Sequence, residues 1–472
     1  MRYIYRRLNI LHWFFLSLFA LGASSVMAQT GEVAVSQWQR LLGPYYSAYP
    51  MQVARAYDNG YAISYVEYVF RLSESGSTIW QTSIPDTPNL PGYRNTPTYI
   101  TSTPDGGFAV LVKSSIKWSL ARLDATGAVL WIKPFADNLD NQSNSSLSFT
   151  NLIYTTDTGF MVVGVLSIPR GGSYTEIYKF DSSGNNTQRR TISASNRNGG
   201  RPAAVASRVI QTGDNNYLLV GRASDPVNVT ITLKAWAIKI DQQLNTIWEK
   251  YTGGQILDDV IQSPYANDSA IAVGTVTGTE TSSYTITANG DVTQGASIPN
   301  RVNGTQSFIV ADTKSTSHTI VDVVNERQGD FRLQSIRGQE QGRFQKIGGS
   351  SGESVLSIVA SNDGGYLVVG VTTSTDGDVQ GKTNADPSVW LVKLAPFSTR
   401  EVYSVQSGNW NNPSVWSCNC IPTADNNVTI KQNHVIVLDS TMPQALCQQL
   451  AISGTFSILG SSILVNGVKM TN

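Results

Sequence analysis

The chain has 472 residues, with 34 basic and 34 acidic residues and only 14% charged residues overall. This balance excludes the strongly basic surface of a typical nucleic-acid-binding protein. The length allows two or more ordinary domains, or one large repeat fold with an appendage.

The first 28 residues have the pattern of a secretory signal peptide. Arginines at positions 2, 6 and 7 precede an apolar stretch, and Ala28 ends a small-residue sequence that fits cleavage before Gln29. An uncleaved membrane anchor is the alternative, but the apolar stretch is short for a membrane span. No later segment is apolar enough to cross a bilayer. We therefore expect an exported protein in the periplasm, at the cell surface or outside the cell.

One turn-to-strand pattern recurs along the chain. It combines an Asp or Asn, glycine, an aromatic residue and an apolar run, as in PDGGFAVLV at Pro104 to Val112 and NDGGYLVVG at Asn362 to Gly370. Asp and Gly suit a tight turn, and the apolar run suits a half-buried strand. The residues that open these strands are Tyr61, Phe108, Phe160, Tyr217, Ala270, Phe308 and Tyr366, and the sixth unit is the most degenerate.

Most units carry two further elements. The first is an apolar-Lys/Arg-apolar run followed by a turn, as in LARLDATG at Leu120 to Gly127, and the second is a short strand with a tryptophan, as in IWEKYTGG near Trp248. Several short strands per unit, in units of roughly 40 to 60 residues separated by Gly, Asn and Asp turns, are typical of propeller blades. The sequence therefore predicts an all-β protein built as a seven-bladed β-propeller.

The two ends of the repeat array complement each other. The seventh unit stops after WLVKL at Trp390 to Leu394 without a tryptophan strand, whereas SQWQRLLG at Ser36 to Gly43 is such a strand with no blade before it. We predict that this N-terminal strand pairs with the last blade and closes the ring, which leaves no open sheet edge. The predicted propeller occupies residues 29–396.

A different pattern follows the propeller. After a linker at 397–401, residues 402–472 contain closely spaced short apolar strands and lack the blade markers. Apolar and polar residues alternate in these strands, so we expect a separate small β domain with its own core.

The motifs resemble those of a known group of proteins. The array with NDGGYLVVG, WLVKL and IWEKYTGG resembles exported β-propeller repeat proteins common in Bacteroidetes, some of them described as delta-60 or kelch-like repeats. The tail, with SGNWNNPSVW and NHVIVLD, resembles a small β-solenoid-like module of surface proteins from the same bacteria. The resemblance implies a fold and no activity, because this repeat family carries no shared catalytic residues.

Candidate catalytic residues are few. After signal-peptide removal two histidines remain, His318 and His434, far apart in sequence and without acidic or thiol neighbours at ligand spacing. We therefore predict a non-catalytic protein with no catalytic and no cofactor-binding residues. The alternative is a carbohydrate-active enzyme, a glycosidase or lyase, in which two carboxylates within about 10 Å of each other meet at the mouth of the central funnel.

The three cysteines, Cys418, Cys420 and Cys447, lie in the tail. A disulfide is the expected state in an exported protein, and Cys418 and Cys420 are too close in sequence for an easy bridge. We predict a Cys420–Cys447 disulfide, with Cys418 as the other possible partner of Cys447. Metal binding by the three sulfurs is the alternative.

One acidic loop in the propeller, STDGDVQGKTNAD at Ser374 to Asp386, is a candidate calcium site. Asp376, Asp378 and Asp386 offer oxygen ligands on a glycine-containing loop, which suits Ca²⁺. The spacing is not that of an EF-hand loop, and an ordinary solvated turn is the alternative. No other cofactor is predicted.

The positions of the tryptophans help to distinguish a glycan ligand from a protein ligand. Those at equivalent positions in the repeat are expected to be core residues, whereas Trp410 and Trp416 in the tail suit either a turn pinned onto the small domain or glycan stacking. The leading hypothesis is an exported binding or adhesion module for a protein or glycan. A pure scaffold is the third hypothesis.

Overall fold

The computed structural model describes residues 36–470 apart from 46–50, 87–94, 115–116, 138, 141–144, 170, 194–202, 225–232, 264–267, 278, 300, 303–304, 312–317, 324–328, 338–339, 396–399, 418–420, 423–425, 443, 448 and 466–467. The predicted signal peptide and its cleavage site lie outside the described residues. Among the described residues there is no α-helix, only one 3₁₀ turn at Pro413–Val415. No helix in this part of the chain is long and apolar enough to cross a membrane.

The protein is a seven-bladed β-propeller, which confirms the predicted fold class. The first strand in the chain is β1 (Ser36–Pro44). Blade 1 contains β2 (Val53–Arg55), β3 (Tyr61–Tyr65), β4 (Tyr68–Leu72) and β5 (Thr78–Ser83). Blade 2 contains β6 (Thr96–Ser102), β7 (Phe108–Lys113), β8 (Lys117–Leu123) and β9 (Val129–Asp137). Blade 3 contains β10 (Leu139–Asp140), β11 (Ser145–Tyr154), β12 (Phe160–Ile168), β13 (Gly172–Phe180) and β14 (Asn186–Ile192).

The remaining blades follow in chain order. Blade 4 contains β15 (Ala204–Gln211), β16 (Tyr217–Ser224), β17 (Leu233–Ile240) and β18 (Thr246–Thr252). Blade 5 contains β19 (Ile256–Gln262), β20 (Ala270–Thr277), β21 (Glu280–Ile286) and β22 (Val292–Ile298). Blade 6 contains β23 (Phe308–Ala311), β24 (His318–Val323), β25 (Phe331–Arg337) and β26 (Glu340–Ile347), and blade 7 contains β27 (Glu353–Ala360), β28 (Tyr366–Thr372) and β29 (Ser388–Leu394). Each blade is an antiparallel meander, as tight Gly, Asn and Asp turns require.

Strand β1 takes the fourth position in blade 7. It pairs antiparallel with β29, with Arg40 opposite Leu391 and Pro44 opposite Ser388. The unmatched strand at the start of the repeat array therefore lies beside the unmatched strand at its end. How far the ring depends on this pairing stays a prediction.

The apolar core of the ring lies between blades rather than within them. A separate cluster of buried apolar residues occupies each of the seven blade junctions in the described part of the chain. At the junction of blades 7 and 1, for example, Leu367 and Leu391 share one cluster with Val53 and Tyr61. Each blade is thus stabilised by burial against two neighbours.

Neighbouring blades are also joined by a repeated contact that we call the tryptophan latch. Trp80 on the fourth strand of blade 1 donates its indole N–H to Ala125 O, in a turn of blade 2, at 3.0 Å. Its ring packs edge-on against Phe108, with centroids 5.9 Å apart. The turn contains Gly127 at φ +85°, where a Cβ would lie 2.7 Å from Trp80 Cδ2. The turn requires glycine because the indole fills the space of any side chain.

The latch recurs at three more junctions of the described chain: Trp38 over Gly76, Trp131 over Gly184 and Trp248 over Gly290. These four tryptophans are the ones that the repeat pattern assigns to the core. Trp38 belongs to β1 and donates its indole N–H to Glu74 O of blade 1 at 2.9 Å. Strand β1 therefore contacts both blade 7 and blade 1.

The junction of blades 3 and 4 shows what happens without a tryptophan. Gln188 pairs with Lys179 at the register position that the latch tryptophan occupies elsewhere. The turn of blade 4 has Leu244 at φ +65°, only 3% exposed, in the place of the glycine. Arg190 donates to Leu244 O and to Thr246 Oγ1. Since no indole covers the turn, a side chain fits there.

The recurrent Asp-Gly-Gly turn forms half of an ion pair. In blade 7 Asp363 Oδ2 lies 2.7 Å from the Nζ of Lys393, which is fully buried. Asp363 Oδ1 accepts a hydrogen bond from Gly365 N at 2.9 Å. A Cβ on Gly365 would lie 2.1 Å from Leu394 O, so this glycine allows the turn to approach the third strand.

The same pair occurs in four other blades: Arg71 with Asp58, Arg122 with Asp105, Lys179 with Asp157 and Lys239 with Asp214. The apolar-Lys/Arg-apolar element of the sequence repeat supplies the cation. In blade 4, burial alone would raise the pKa of Asp214, but hydrogen bonds from Lys239, Thr212 and Asn216 hold that pKa well below its usual range.

The sixth blade corrects one assignment made from sequence. Phe308 does not open the second strand of its blade; it begins the inner strand β23. The position equivalent to Tyr366 is taken by His318, which pairs with Ala311 and Ile336. His318 is 1% exposed, and burial lowers its pKa to about 4. The repeat is regular here, but a neutral histidine replaces the aromatic marker.

Residues 400–470 form parallel sheets rather than meanders. The strands are β30 (Arg400–Tyr403), β31 (Gly408–Asn409), β32 (Asn426–Ile430), β33 (Val435–Asp439), β34 (Gln444–Cys447), β35 (Gln449–Ile452), β36 (Thr455–Leu459), β37 (Ser462–Val465) and β38 (Val468–Met470). They pair in parallel as β30-β32-β35, β31-β33-β36 and β34-β37, and β38 adds antiparallel to β37. The tail has an apolar cluster drawn entirely from its own residues. Its independence from the ring stays a prediction.

The latch predicts that a methyl group added to a latch glycine lowers the free energy of unfolding. Gly127→Ala should destabilise the protein by about 1–3 kcal/mol more than Gly381→Ala, because both glycines have positive φ but a Cβ at Gly381 meets nothing within 4 Å. Chemical denaturation of both variants measures the difference. Equal destabilisation would contradict the latch.

The ion pair predicts a pH-dependent effect of Asp363→Asn. Burial would raise the pKa of Asp363, but hydrogen bonds from Lys393 and Gly365 N lower it overall, so the carboxylate stabilises the fold above the unfolded pKa of about 4. This stabilisation disappears as the pH falls through the folded pKa. We expect Asp363→Asn to cost about 2 kcal/mol at pH 7, and progressively less below about pH 4. Denaturation of both proteins across this pH range provides the measurement. A difference independent of pH would contradict the pairing.

Candidate functional site

The inner strands of the blades carry a recurrent irregularity that shapes the centre of the ring. A β-bulge interrupts the pairing of the first and second strands in five blades. A bulge turns one extra side chain away from the sheet register. The extra residues that line the centre of the ring are Tyr99, Thr150, Ser207, Asp258 and Leu356.

In three of these blades the residue after the bulge connects neighbouring inner strands. Its side chain accepts a hydrogen bond from a backbone N–H of the next blade, at 3.1 Å from Val209 N to Asn151 Oδ1 and at 3.1 Å from Ile309 N to Asp259 Oδ2. Ser357 accepts from Val53 N in the same way across the junction of blades 7 and 1. These bonds fix the inner strands against one another and set the width of the channel.

Two cavities of about 630 Å³ each follow one another along the channel. The first, which we call the start cavity, lies where the inner strands begin and includes Ser207 and Asp258. The second, which we call the end cavity, lies where they end and includes Thr101 and Asp259. Gln52 and Arg208 line both, so they mark the boundary between the cavities.

The start cavity is rich in arginine. Arg208, Arg222 and Arg301 line it, and among the described residues Asp258 is its one lining carboxylate. Arg301 Nη2 lies 3.4 Å from Asp258 Oδ2, and Arg301 is only 2% exposed. Arg208 is instead paired with Asp259, with Nε 3.0 Å from Oδ1. The positive charge of this cavity therefore exceeds its negative charge.

The two channel acids are held by structural contacts. Asp258 accepts from Ser307 N at 3.3 Å, and burial raises its pKa to about 6 against the opposing effect of Arg301. Burial also raises the pKa of Asp259, while Arg208 and backbone N–H groups oppose that shift. Although they are consecutive in sequence, they line different cavities. Their geometry does not place a substrate bond between two free carboxylates, as glycoside hydrolysis requires.

His434 does not form a catalytic pair. Its Nδ1 lies 2.8 Å from Ser404 Oγ, but Ser404 is fully buried and its Oγ also accepts from Lys431 N. The hydroxyl is closed to any substrate because Ser404 is fully buried. His318 lies inside the interface of blades 5 and 6, away from the channel cavities.

The acidic loop does not form a cluster of carboxylates. Asp376 Oδ1 accepts from Ser350 N at 2.8 Å, and Asp378 Oδ2 accepts from Gly348 N at 3.1 Å. Asp386 accepts from the Asn384 side chain. Among the residues that the structure describes, no group of three or more His, Cys, Asp or Glu side chains is placed to hold a metal ion. Calcium binding at this loop stays a prediction without support from the geometry.

The cysteine prediction falls partly outside the described residues. Cys447 is a free thiol in the structure, 1% exposed, and burial raises its pKa to about 11. Cys418 and Cys420 lie outside the described part of the chain, so the Cys420–Cys447 disulfide stays a prediction.

The tryptophans of the described chain serve packing. Trp410 and Trp416 are 0% and 2% exposed, with ring centroids 4.8 Å apart in the core of the tail. Trp118, Trp236 and Trp390 are likewise buried, and the other four form the latches. This geometry favours the core interpretation of Trp410 and Trp416 over glycan stacking.

Sequence reasoning missed the channel residues. Asp258 and Asp259 interrupt an otherwise apolar strand, ILDDVIQ. Two adjacent acids in such a strand are the sequence feature that could have indicated a place in the channel. Arg208 and Arg301 carry no such signal, because their place in the channel depends on blade closure and on a bulge.

The comparisons with known proteins concern the fold. No protein-family model matches the chain, and no curated protein matches it in sequence. A chain from the crystal structure of the mitotic checkpoint complex is similar with a TM-score of 0.51 and 11% identity, over 84% of this chain and 99% of that chain. The Neurospora crassa Pan2 WD40 domain gives a TM-score of 0.42 and 11% identity, over 76% and 97%. A Bacteroides caccae protein of unknown function gives 0.34 and 10%, over 53% and 81%. At these identities the likeness is one of fold alone.

Proposed function

We propose that this protein is an exported, non-catalytic binding module that holds a protein partner at the start cavity of its ring. The observation that carries the proposal is the cavity itself, about 630 Å³, formed by residues of all seven blades and lined by both polar and apolar side chains. Binding sites of folded proteins are typically concave, partly apolar and provided with a few placed polar groups.

The described chain favours a protein partner over a glycan. Sugar recognition commonly uses an exposed aromatic face, and the described tryptophans are buried or packed in latches. The start cavity combines arginine and glutamine side chains with aliphatic residues such as Val205, Ile256 and Leu356, and its aromatic lining residues are Tyr99 and Phe308. Arginine with apolar neighbours is typical of protein–protein contact regions.

The enzyme alternative is a glycosidase or lyase using the same channel. Asp258, with its pKa raised to about 6 by burial, is the group that such an enzyme would use as an acid. Asp258 accepts a hydrogen bond from Ser307 N and pairs with Arg301, and these contacts support a structural role instead.

A pair of channel-filling variants tests the binding function. Ser207→Phe places a large side chain in the start cavity, and Thr101→Phe does the same in the end cavity. We expect immobilised wild type and Thr101→Phe to retain a protein from the envelope fraction of the source organism, and Ser207→Phe to lose it. A glycan array is run in parallel.

Two results would contradict this proposal. Retention that is equal in all three proteins would place the binding surface elsewhere. Glycan turnover that is abolished by Asp258→Asn would support the enzyme alternative instead.

Export predicts a specific covalent state. Protein recovered from an oxidising compartment should begin at Gln29 and contain one free thiol, because Cys447 is expected to pair with Cys420. Since Cys447 is buried, alkylation must follow denaturation. Intact-mass spectrometry measures both the first residue and the number of alkylated thiols. A retained leader together with three free thiols would contradict export.

A further inference from the structure

The start cavity contains more cationic groups than its own acids neutralise. Arg208 is paired with Asp259, and Arg301 Nη2 lies 3.4 Å from Asp258 Oδ2. Arg222 also lines the cavity, is exposed, and forms no ion pair with any residue in the described ranges. One arginine at this end of the channel is therefore left for an outside anion.

Arg301 provides a second, independent sign of a missing partner. It is 2% exposed, and its Nη1 has no hydrogen-bond partner among the described residues. Its Nε donates weakly to Thr305 Oγ1 at 3.4 Å. A buried charged donor without an acceptor costs free energy, and this incompletely compensated charge belongs to a residue that lines the start cavity.

The residues around these arginines indicate which class of molecule supplies the anionic group. Three glutamines, Gln52, Gln255 and Gln306, line the same cavity and can bond backbone or side-chain amides. Val205 and Leu356 add an apolar wall. Amide and apolar contacts together with a carboxylate match a peptide segment better than a free inorganic anion.

We propose that the start cavity binds an acidic peptide segment and receives one of its carboxylate side chains at Arg222, with the charge of Arg301 in the same cavity. This rests on the proposed function, since it names the chemistry of the partner held at that cavity. Arg222 is the accessible contact, and the buried guanidinium of Arg301 adds positive charge to the same cavity. Because an exposed arginine takes part, the affinity should fall as the salt concentration rises.

The test measures binding of a blocked hexaglutamate peptide by calorimetry, with blocked hexaglutamine as the uncharged control. We expect wild type to bind hexaglutamate and not hexaglutamine, and Arg222→Gln to weaken binding at least about tenfold. Arg55→Gln is the matched control, because Arg55 is also exposed but lines the end cavity. Its affinity should equal that of wild type.

A second variant addresses the buried arginine. Arg301→Gln should also weaken binding, and its melting temperature is measured first because Arg301 pairs with Asp258. If this variant does not fold, Arg222→Gln still decides the question on the exposed surface.

Several results would overturn the inference. These are no binding of hexaglutamate, equal binding of hexaglutamine, or equal losses in Arg222→Gln and Arg55→Gln. Tighter binding of oligogalacturonate or of inorganic phosphate than of hexaglutamate would replace the acidic peptide with an acidic glycan or a free anion. If hexaglutamate fails while Ser207→Phe still releases the protein partner, the inference is wrong and the binding function stands.

Discussion

The contact between a tryptophan of one blade and a glycine turn of the next constrains the rest of this structure. It fixes the distance and angle between neighbouring sheets, because the indole is rigid and the turn leaves no room for a side chain. Buried apolar residues then fill the space between blades. The contact occurs at four junctions of the described chain, and at the junction of blades 7 and 1 Trp38 makes it on a strand from the other end of the chain.

The channel follows from the arrangement of the seven blades. Seven inner strands are brought together around one axis, and their bulges decide which side chains face it. Side chains such as Asn151 and Asp259 accept hydrogen bonds from backbone N–H groups of the next inner strand, and these bonds keep the channel at one width. Binding groups such as Arg222 then stand on a rigid frame, which reduces the entropy lost when a ligand is held.

The fold was accessible from sequence because each blade repeats local chemistry. Turn glycines, an ion pair and a tryptophan recur at fixed places, and a single chain supplies several copies to compare. The prediction from sequence is wrong where a copy diverges, because His318 occupies the aromatic position and Phe308 begins the inner strand. The channel site could not be predicted from the sequence, since Arg208 and Arg301 lie far apart in the chain and line one cavity only when the ring is built. The acidic loop looked like a ligand site, but Asp376 bonds to the backbone of a neighbouring loop.

The most direct measurement of the central claim is amide hydrogen exchange along the first and last blades of the full chain. If β1 is the fourth strand of blade 7, amides of Ser36–Pro44 should exchange as slowly as those of Thr78–Ser83, the fourth strand of blade 1. Exchange of Ser36–Pro44 at the rate of an unstructured peptide, with the other outer strands still protected, would contradict closure of the ring by this strand.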